Sequence, residues 1–139
     1  MTSICIIDDD KTDRFIIERA LLSIYPGLDI FQADNEESGF SLVSEMQPDI
    51  VVMDVNLVGS CGHMLAKRLK KHLGKDNVTI VMMSGFVQAK SMRYAATLDR
   101  KDVIVKPMRI SDYPEFVNQI MSAHGTVAQV ERAAEVVAA

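Results

Sequence analysis

The sequence predicts an α/β domain built on an open parallel sheet with helices on both faces. Three observations predict it. Short β-branched runs alternate with stretches of helical periodicity five times along the chain. The runs are apolar at successive positions, as strands covered on both faces require. The segments between them are long enough for helices, which is the spacing of right-handed βαβ units.

Residues Ser3–Ile7 form the first strand, which ends abruptly in Asp8-Asp9-Asp10. Ile16, Ile17, Ala20, Leu21 and Ile24 then recur at helical spacing, and Pro26-Gly27 stops that helix. Leu28–Ala33 reads as a weaker strand. A second helix over Glu36–Met46 turns Phe40 and Val43 inward, with Met46 a further candidate, and Pro48 stops it. Ile50–Met53 is a buried-type strand that again ends on an aspartate, Asp54. A loop with Gly59 and Gly62 leads to a helix from about His63 to Leu73, striped by Leu65, Ala66, Leu69 and Leu73, with Gly74 as its C-cap. Val78–Met83 is the fourth strand, ending in Ser84-Gly85. Val87–Leu98 is a helix with mixed faces. Asp102–Val105 is the fifth strand, ending in Lys106-Pro107. Ser111–Ala123 is the fifth helix, N-capped by Ser111. The expected division is one domain over 1–125 and a helical tail, or the start of a linker, over 126–139.

Composition narrows the function. The 139 residues are 48% hydrophobic and 24% charged, which excludes disorder and fibrous repeats. No apolar run reaches the ~18–20 residues of a membrane helix. Fifteen basic against nineteen acidic side chains leave a net charge of −4, a poor footprint for nucleic acid. Two cysteines and an N-terminus without a basic leader set the expectation of a cytoplasmic protein.

Ligands of open α/β sheets bind outside the carboxyl ends of the strands. Those ends carry Asp8, Asp9 and Asp10 on strand one, Asp54 on strand three, Ser84 on strand four and Lys106 on strand five. Carboxylates gathered so closely need a balancing cation. Lys106 supplies one charge, and Mg²⁺ suits an all-oxygen donor set with room for water. A carboxylate beside Mg²⁺, a hydroxyl and a lysine is a place to accept a phosphoryl group. No histidine or second base is placed to carry an external substrate through turnover, so the reading is a phosphoacceptor and not an enzyme. Asp10 and Asp13 read as structural acids favourable to a helix N-terminus. The pair Cys61 and His63 is too sparse for a zinc site.

These motifs, in this order, resemble the response-regulator receiver domain of two-component signalling over about residues 3–124. The acidic pair is Asp8-Asp9, the phosphoacceptor Asp54, the hydroxyl residue Ser84 and the Lys-Pro step Lys106-Pro107, with Asn56 and Gly62 fitting the loop beyond the acceptor. The resemblance implies a flavodoxin-like doubly wound sheet of strand order 2-1-3-4-5 with five helices. It implies Mg²⁺ held by Asp8, Asp9, Asp54 and the Asn56 carbonyl, with Asp8 acting through water. It assigns Ser84 and Lys106 to binding the phosphoryl oxygens, and Asn56 and Phe86 to its lifetime. The output surface would lie around Met92, Val103 and Met108. The implied partners are a histidine kinase or histidine phosphotransfer protein and a downstream protein target, with no nucleic acid or membrane, the chain being a monomer or weak dimer. Val58 stands where the family often has proline, and Val103 where a switch aromatic is common.

Three alternatives are weighed. An aspartate-nucleophile phosphatase would want Asp-x-Asp, and the chain has Asp54-Val55-Asn56. A flavin mononucleotide carrier would want a phosphate-cradling loop where three aspartates stand. A receiver cut from a longer regulator or hybrid kinase differs from the preferred stand-alone receiver only in what surrounds it.

Overall fold

The computed structural model describes residues 2–57, 59–85 and 103–125. Strand β1 (Ser3–Ile7) leads to helix α1 (Lys11–Ile24), β2 (Asp29–Ala33), α2 (Glu36–Met46) and β3 (Ile50–Asp54). The short strands β4 (Asn56–Leu57) and β5 (Ser60–Cys61) precede α3 (Gly62–Leu73), β6 (Thr79–Ser84) and β7 (Val103–Val105). A 3₁₀ turn (Ile110–Asp112) then opens into α4 (Tyr113–His124). The main sheet has the order β2-β1-β3-β6-β7, and all its pairs are parallel. Counting only these five strands, this is the expected 2-1-3-4-5 arrangement. The helix expected over Val87–Leu98 and the tail over Thr126–Ala139 lie outside the described residues.

Alternation along each strand divides the core in two. Ile4, Ile6, Ile50, Val52, Val81 and Met83 face one side, where Ile17 and Leu21 of α1 and Val117, Ile120 and Met121 of α4 close over them. Cys5, Ile7, Val51, Met53, Ile80 and Met82 face the other, against Val43 of α2 and Leu65 and Leu69 of α3. All five residues of β3 are buried, which explains its unbroken apolar run up to Asp54. The direction of winding across the sheet reverses between β1 and β3: the chain leaves β1 for one edge and returns through β3 toward the other. That switch point opens a crevice at the carboxyl ends of both strands.

The helix boundaries have local causes. The Asp10 carboxylate accepts the N–H groups of Thr12 and Asp13 at 2.8 and 3.1 Å and caps α1. Asn35 caps α2 through the Ser38 N–H at 2.8 Å. Gly74, with φ +96°, ends α3 in a conformation that other residues rarely adopt.

Several expectations need correction. Ser111 does not cap the last helix; it lies within the 3₁₀ turn, and Pro114 near the helix start fixes where α4 begins. The fourth strand runs one residue further than expected and takes in Ser84, because Ser84 pairs with Val105. Ile24 and Met46 are exposed, each at the end of its helix where the apolar stripe has passed the sheet. The loop after Asp54 holds a small antiparallel ribbon, Asn56 opposite Cys61 and Leu57 opposite Ser60. Two-residue strands carry no periodic signal.

Candidate functional site

The four strand ends arrive together because the ladder hydrogen bonds continue past the strands. The Asp8 N–H donates to the Ala33 carbonyl at 3.1 Å, Val55 to Met83 at 2.9 Å and Lys106 to Ser84 at 2.8 Å. Asp8, Asp54 and Ser84 are the buried polar residues among those described, and all three stand at this edge.

Lys106 is the centre of the cluster. Its Nζ donates to Asp8 Oδ2 at 2.7 Å, to Asp54 Oδ2 at 2.7 Å and to Asp13 Oδ2 at 2.9 Å. The remaining oxygens of the two buried acids are held by backbone: Asp10 N–H donates to Asp8 Oδ1 at 2.9 Å, and Asn56 N–H to Asp54 Oδ1 at 2.9 Å. Arg14 fastens the loop from outside, its guanidinium donating to the Asp8 carbonyl at 2.6 Å and to Gln32 Oε1 at 3.1 Å. The Ser84 hydroxyl donates to the Gly85 carbonyl at 3.1 Å.

Gly62 sets the approach of α3 to this edge. A Cβ there would collide with the Asp54 backbone carbonyl and sit 3.1 Å from the Val55 Cα. The Gly62 N–H donates to the Val55 carbonyl at 2.8 Å, so the glycine binds the segment beyond Asp54 to the start of α3.

Burial dominates the electrostatics. It pushes the Asp8 carboxyl up to about 6, against the stabilising bonds from Lys106 and the Asp10 N–H. Burial also works against the Lys106 charge, but bonds to Asp54, Asp8 and Asp13 outweigh it and hold the ammonium above its ordinary range. Tyr113 is pushed up by burial and by the nearby Asp13 charge.

The donor set fits a hard divalent cation. Asp8, Asp9 and Asp54 each offer a carboxylate oxygen within 4.8 Å of the others, and Asp9 is exposed. Lys106 bonds the carboxylates of Asp8, Asp54 and Asp13, and Asp9 stands beside them, so negative charge remains for a cation to balance. Cys61 and His63 are in no such group among the described residues.

The structure therefore brings Asp8, Asp9, Asp54 and Lys106 together, with Asn56 beside them and Ser84 at the same edge. Of the expected output residues, Val103 is half-buried against the core and Met108 is 80% exposed. Phe86, Met92 and Val58 lie outside the described residues. Asp13 and Arg14 also touch this cluster; the sequence reading takes Asp13 for an acid at a helix start and does not name Arg14. Their signal was helical spacing: three and four residues after the cap Asp10, they lie one turn into α1 on the side of the strand ends. Between α1 and the start of α4 lies a groove of about 550 Å³ lined by Phe15, Ile16, Ile24, Ile110 and Tyr113. Among the described residues no helix is long and apolar enough to cross a membrane.

Comparison with known proteins agrees with this geometry. The family model described as the response regulator receiver domain matches residues 4–118. The sensory transduction protein LytT of Bacillus subtilis is 31% identical over 107 residues, 77% of this chain and 43% of LytT. Protein PilH of Pseudomonas aeruginosa is 22% identical over 122 residues, 88% of this chain and 99% of PilH. The chain thus spans about half the length of the larger curated relatives it matches. A crystal structure of a putative response regulator from Chloroflexus aurantiacus J-10-fl superposes with a TM-score of 0.68 at 27% identity, covering 87% of this chain and 98% of that one. Family match, sheet order and the placement of the acids and lysine converge: the chain belongs to the response regulator receiver domain family, the signalling switches of two-component systems.

Proposed function

We propose that this chain is a Mg²⁺-dependent phosphoacceptor switch that takes a phosphoryl group onto Asp54 from a histidine of a kinase or phosphotransfer protein. The observation that carries the reading is the bridge made by Lys106, which holds Asp8 and Asp54 at 2.7 Å each at the switch point of the sheet. An Asp54 carboxylate oxygen attacks phosphorus in line. The phosphorus–nitrogen bond to the partner histidine breaks, and its electron pair returns to the ring nitrogen as the lone pair of a neutral imidazole, whose other nitrogen carries the hydrogen. Lys106 neutralises oxygens of the group in transit.

Asp9, Asp54 and the Asn56 carbonyl would hold Mg²⁺ directly. Asp8, the more deeply buried of the two bonded acids at 0% exposed, would act through water. When bound, the ion supplies positive charge to the transferring phosphoryl oxygens. Ser84 and Lys106 bind those oxygens once the group is on Asp54. Asn56, exposed beside the site, helps set the lifetime of the acyl phosphate. Phe86 is assigned the same task from the sequence alone.

Output is by contact with another protein, on a surface that includes Met108. The reading places the chain in the cytoplasm as a stand-alone receiver, monomer or weak dimer. The test is uptake of phosphate from acetyl phosphate with Mg²⁺, followed by intact mass. Uptake that survives Asp54→Asn undiminished would remove the assignment.

A further inference from the structure

A lysine ammonium has three N–H donors. Those of Lys106 are matched by three acceptors, Asp8, Asp54 and Asp13. A phosphoryl group on Asp54 brings new acceptor oxygens to the same ammonium, so one present acceptor has to be released. The three are unequal. The Asp8 side chain is 0% exposed, and losing Lys106 would leave its Oδ2 buried without a partner. Asp54 keeps its hold on Lys106, through its remaining carbonyl oxygen and the phosphoryl oxygens it then carries, so the acceptor released is one of the other two. Asp13 makes the longest of the three bonds and its side chain is 32% exposed, so water replaces Lys106 there at the least cost.

We propose that Asp13 is a positioning residue for Lys106, holding the ammonium in the resting state and exchanged for a phosphoryl oxygen when Asp54 is phosphorylated. The inference rests on the reading of Asp54 as phosphoacceptor. Its consequence falls on α1. Asp13 belongs to the first turn, where its own N–H is held by the Asp10 cap at 3.1 Å. The exposed Phe15 and the groove shared with Tyr113 begin immediately after it. Release of Asp13 therefore frees the charged anchor of that turn and removes an ion pair between α1 and the residue that follows β7. This connects the site to a helix surface without an aromatic rotamer, in a chain that has Val103 where the family often has the ring.

The experiment titrates beryllofluoride with Mg²⁺ into the full chain, following backbone amides and the Lys106 side-chain ammonium by NMR. Wild type, Asp13→Ala, Asp13→Glu and Asp54→Asn are compared. In wild type the amides of residues 11–15 shift as the probe binds. In Asp13→Ala half-saturation falls roughly three- to tenfold, residues 11–15 no longer respond, and the free Lys106 signal already differs from wild type. Asp13→Glu, with its charge restored, returns toward wild type. The affinity gain persists at about 1 M salt, where the Debye length is about 3 Å and a distant charge would no longer matter. Wild-type binding with residues 11–15 unmoved, or equal half-saturation in Asp13→Ala, overturns the exchange and leaves the phosphoacceptor reading standing. Binding that is absent in wild type, or unchanged in Asp54→Asn, overturns both.

Discussion

The Lys106 ammonium meets the Asp54 carboxylate at 2.7 Å, although β6 separates the strand that ends in Asp54 from the strand that Lys106 follows. Lys106 follows β7 at the edge of the sheet and reaches across to the end of the central strand. Its side chain is 17% exposed and that of Asp54 is 9% exposed, so neither charge is left to water. Replacing Lys106 with Met leaves two buried carboxylates without their counter-charge. Removing one partner of a buried pair costs roughly 3–5 kcal/mol, and the partial exposure here reduces that to about 2–3 kcal/mol in metal-free protein. Urea denaturation in EDTA measures it. Added Mg²⁺ is expected to restore part of the loss, because the cation offsets the same charges.

Asp8 gives the opposite result. Its carboxyl is pushed from an ordinary 3.8 up to about 6, chiefly by burial. Between those values the folded chain binds more protons than the unfolded one, so the Asp8 contribution to stability falls as pH rises. The penalty is absent below about pH 4 and complete above about pH 6 to 7. A rise of roughly two pH units corresponds to about 3 kcal/mol. Asp8→Asn is therefore expected to stabilise the metal-free protein by about 2–3 kcal/mol at pH 7, with the gain vanishing near pH 4. A pH series of unfolding curves in EDTA checks the sign, and a gain larger at pH 4 than at pH 7 would contradict it.

Gly62 and Gly39 are both buried helical glycines, and they are expected to respond differently to alanine. At Gly62 the new Cβ meets the Asp54 backbone carbonyl, which β3 and the segment beyond it hold in place. Overpacking against fixed backbone costs about 1–3 kcal/mol, and relief by movement displaces Asp54. At Gly39 the Cβ meets the Ile7 Cδ1 at 2.9 Å, a side-chain end and not backbone, while alanine gains up to about 1 kcal/mol of helix propensity. Gly62→Ala should lower both Tm and phosphate uptake. Gly39→Ala should leave uptake unchanged and shift Tm by much less.

The meeting of the site residues was legible because a parallel sheet delivers the end of every strand to one edge. Asp8, Asp9, Asp54, Ser84 and Lys106 could each be read as the residue following an apolar run. Asp10 was legible as a helix cap by the same local rule, and the structure shows it in that role. Asp13 was read only as an acid suited to a helix start, since the lysine it bonds lies 93 positions away and no local pattern connects them. The start of α4 was misjudged because Ser111 and Asp112 both suit a cap, and the 3₁₀ turn that resolves the choice is a tertiary matter. The β4–β5 ribbon was invisible for want of length.

The central claim is that Asp54 accepts the phosphoryl group, and intact mass after incubation with acetyl phosphate and Mg²⁺ tests it most directly. The account predicts that wild type gains one phosphoryl group, that EDTA abolishes the gain, and that Asp54→Asn gains none while remaining folded. Uptake in Asp54→Asn equal to wild type, or uptake in wild type mapped by peptide analysis to another residue, would contradict it.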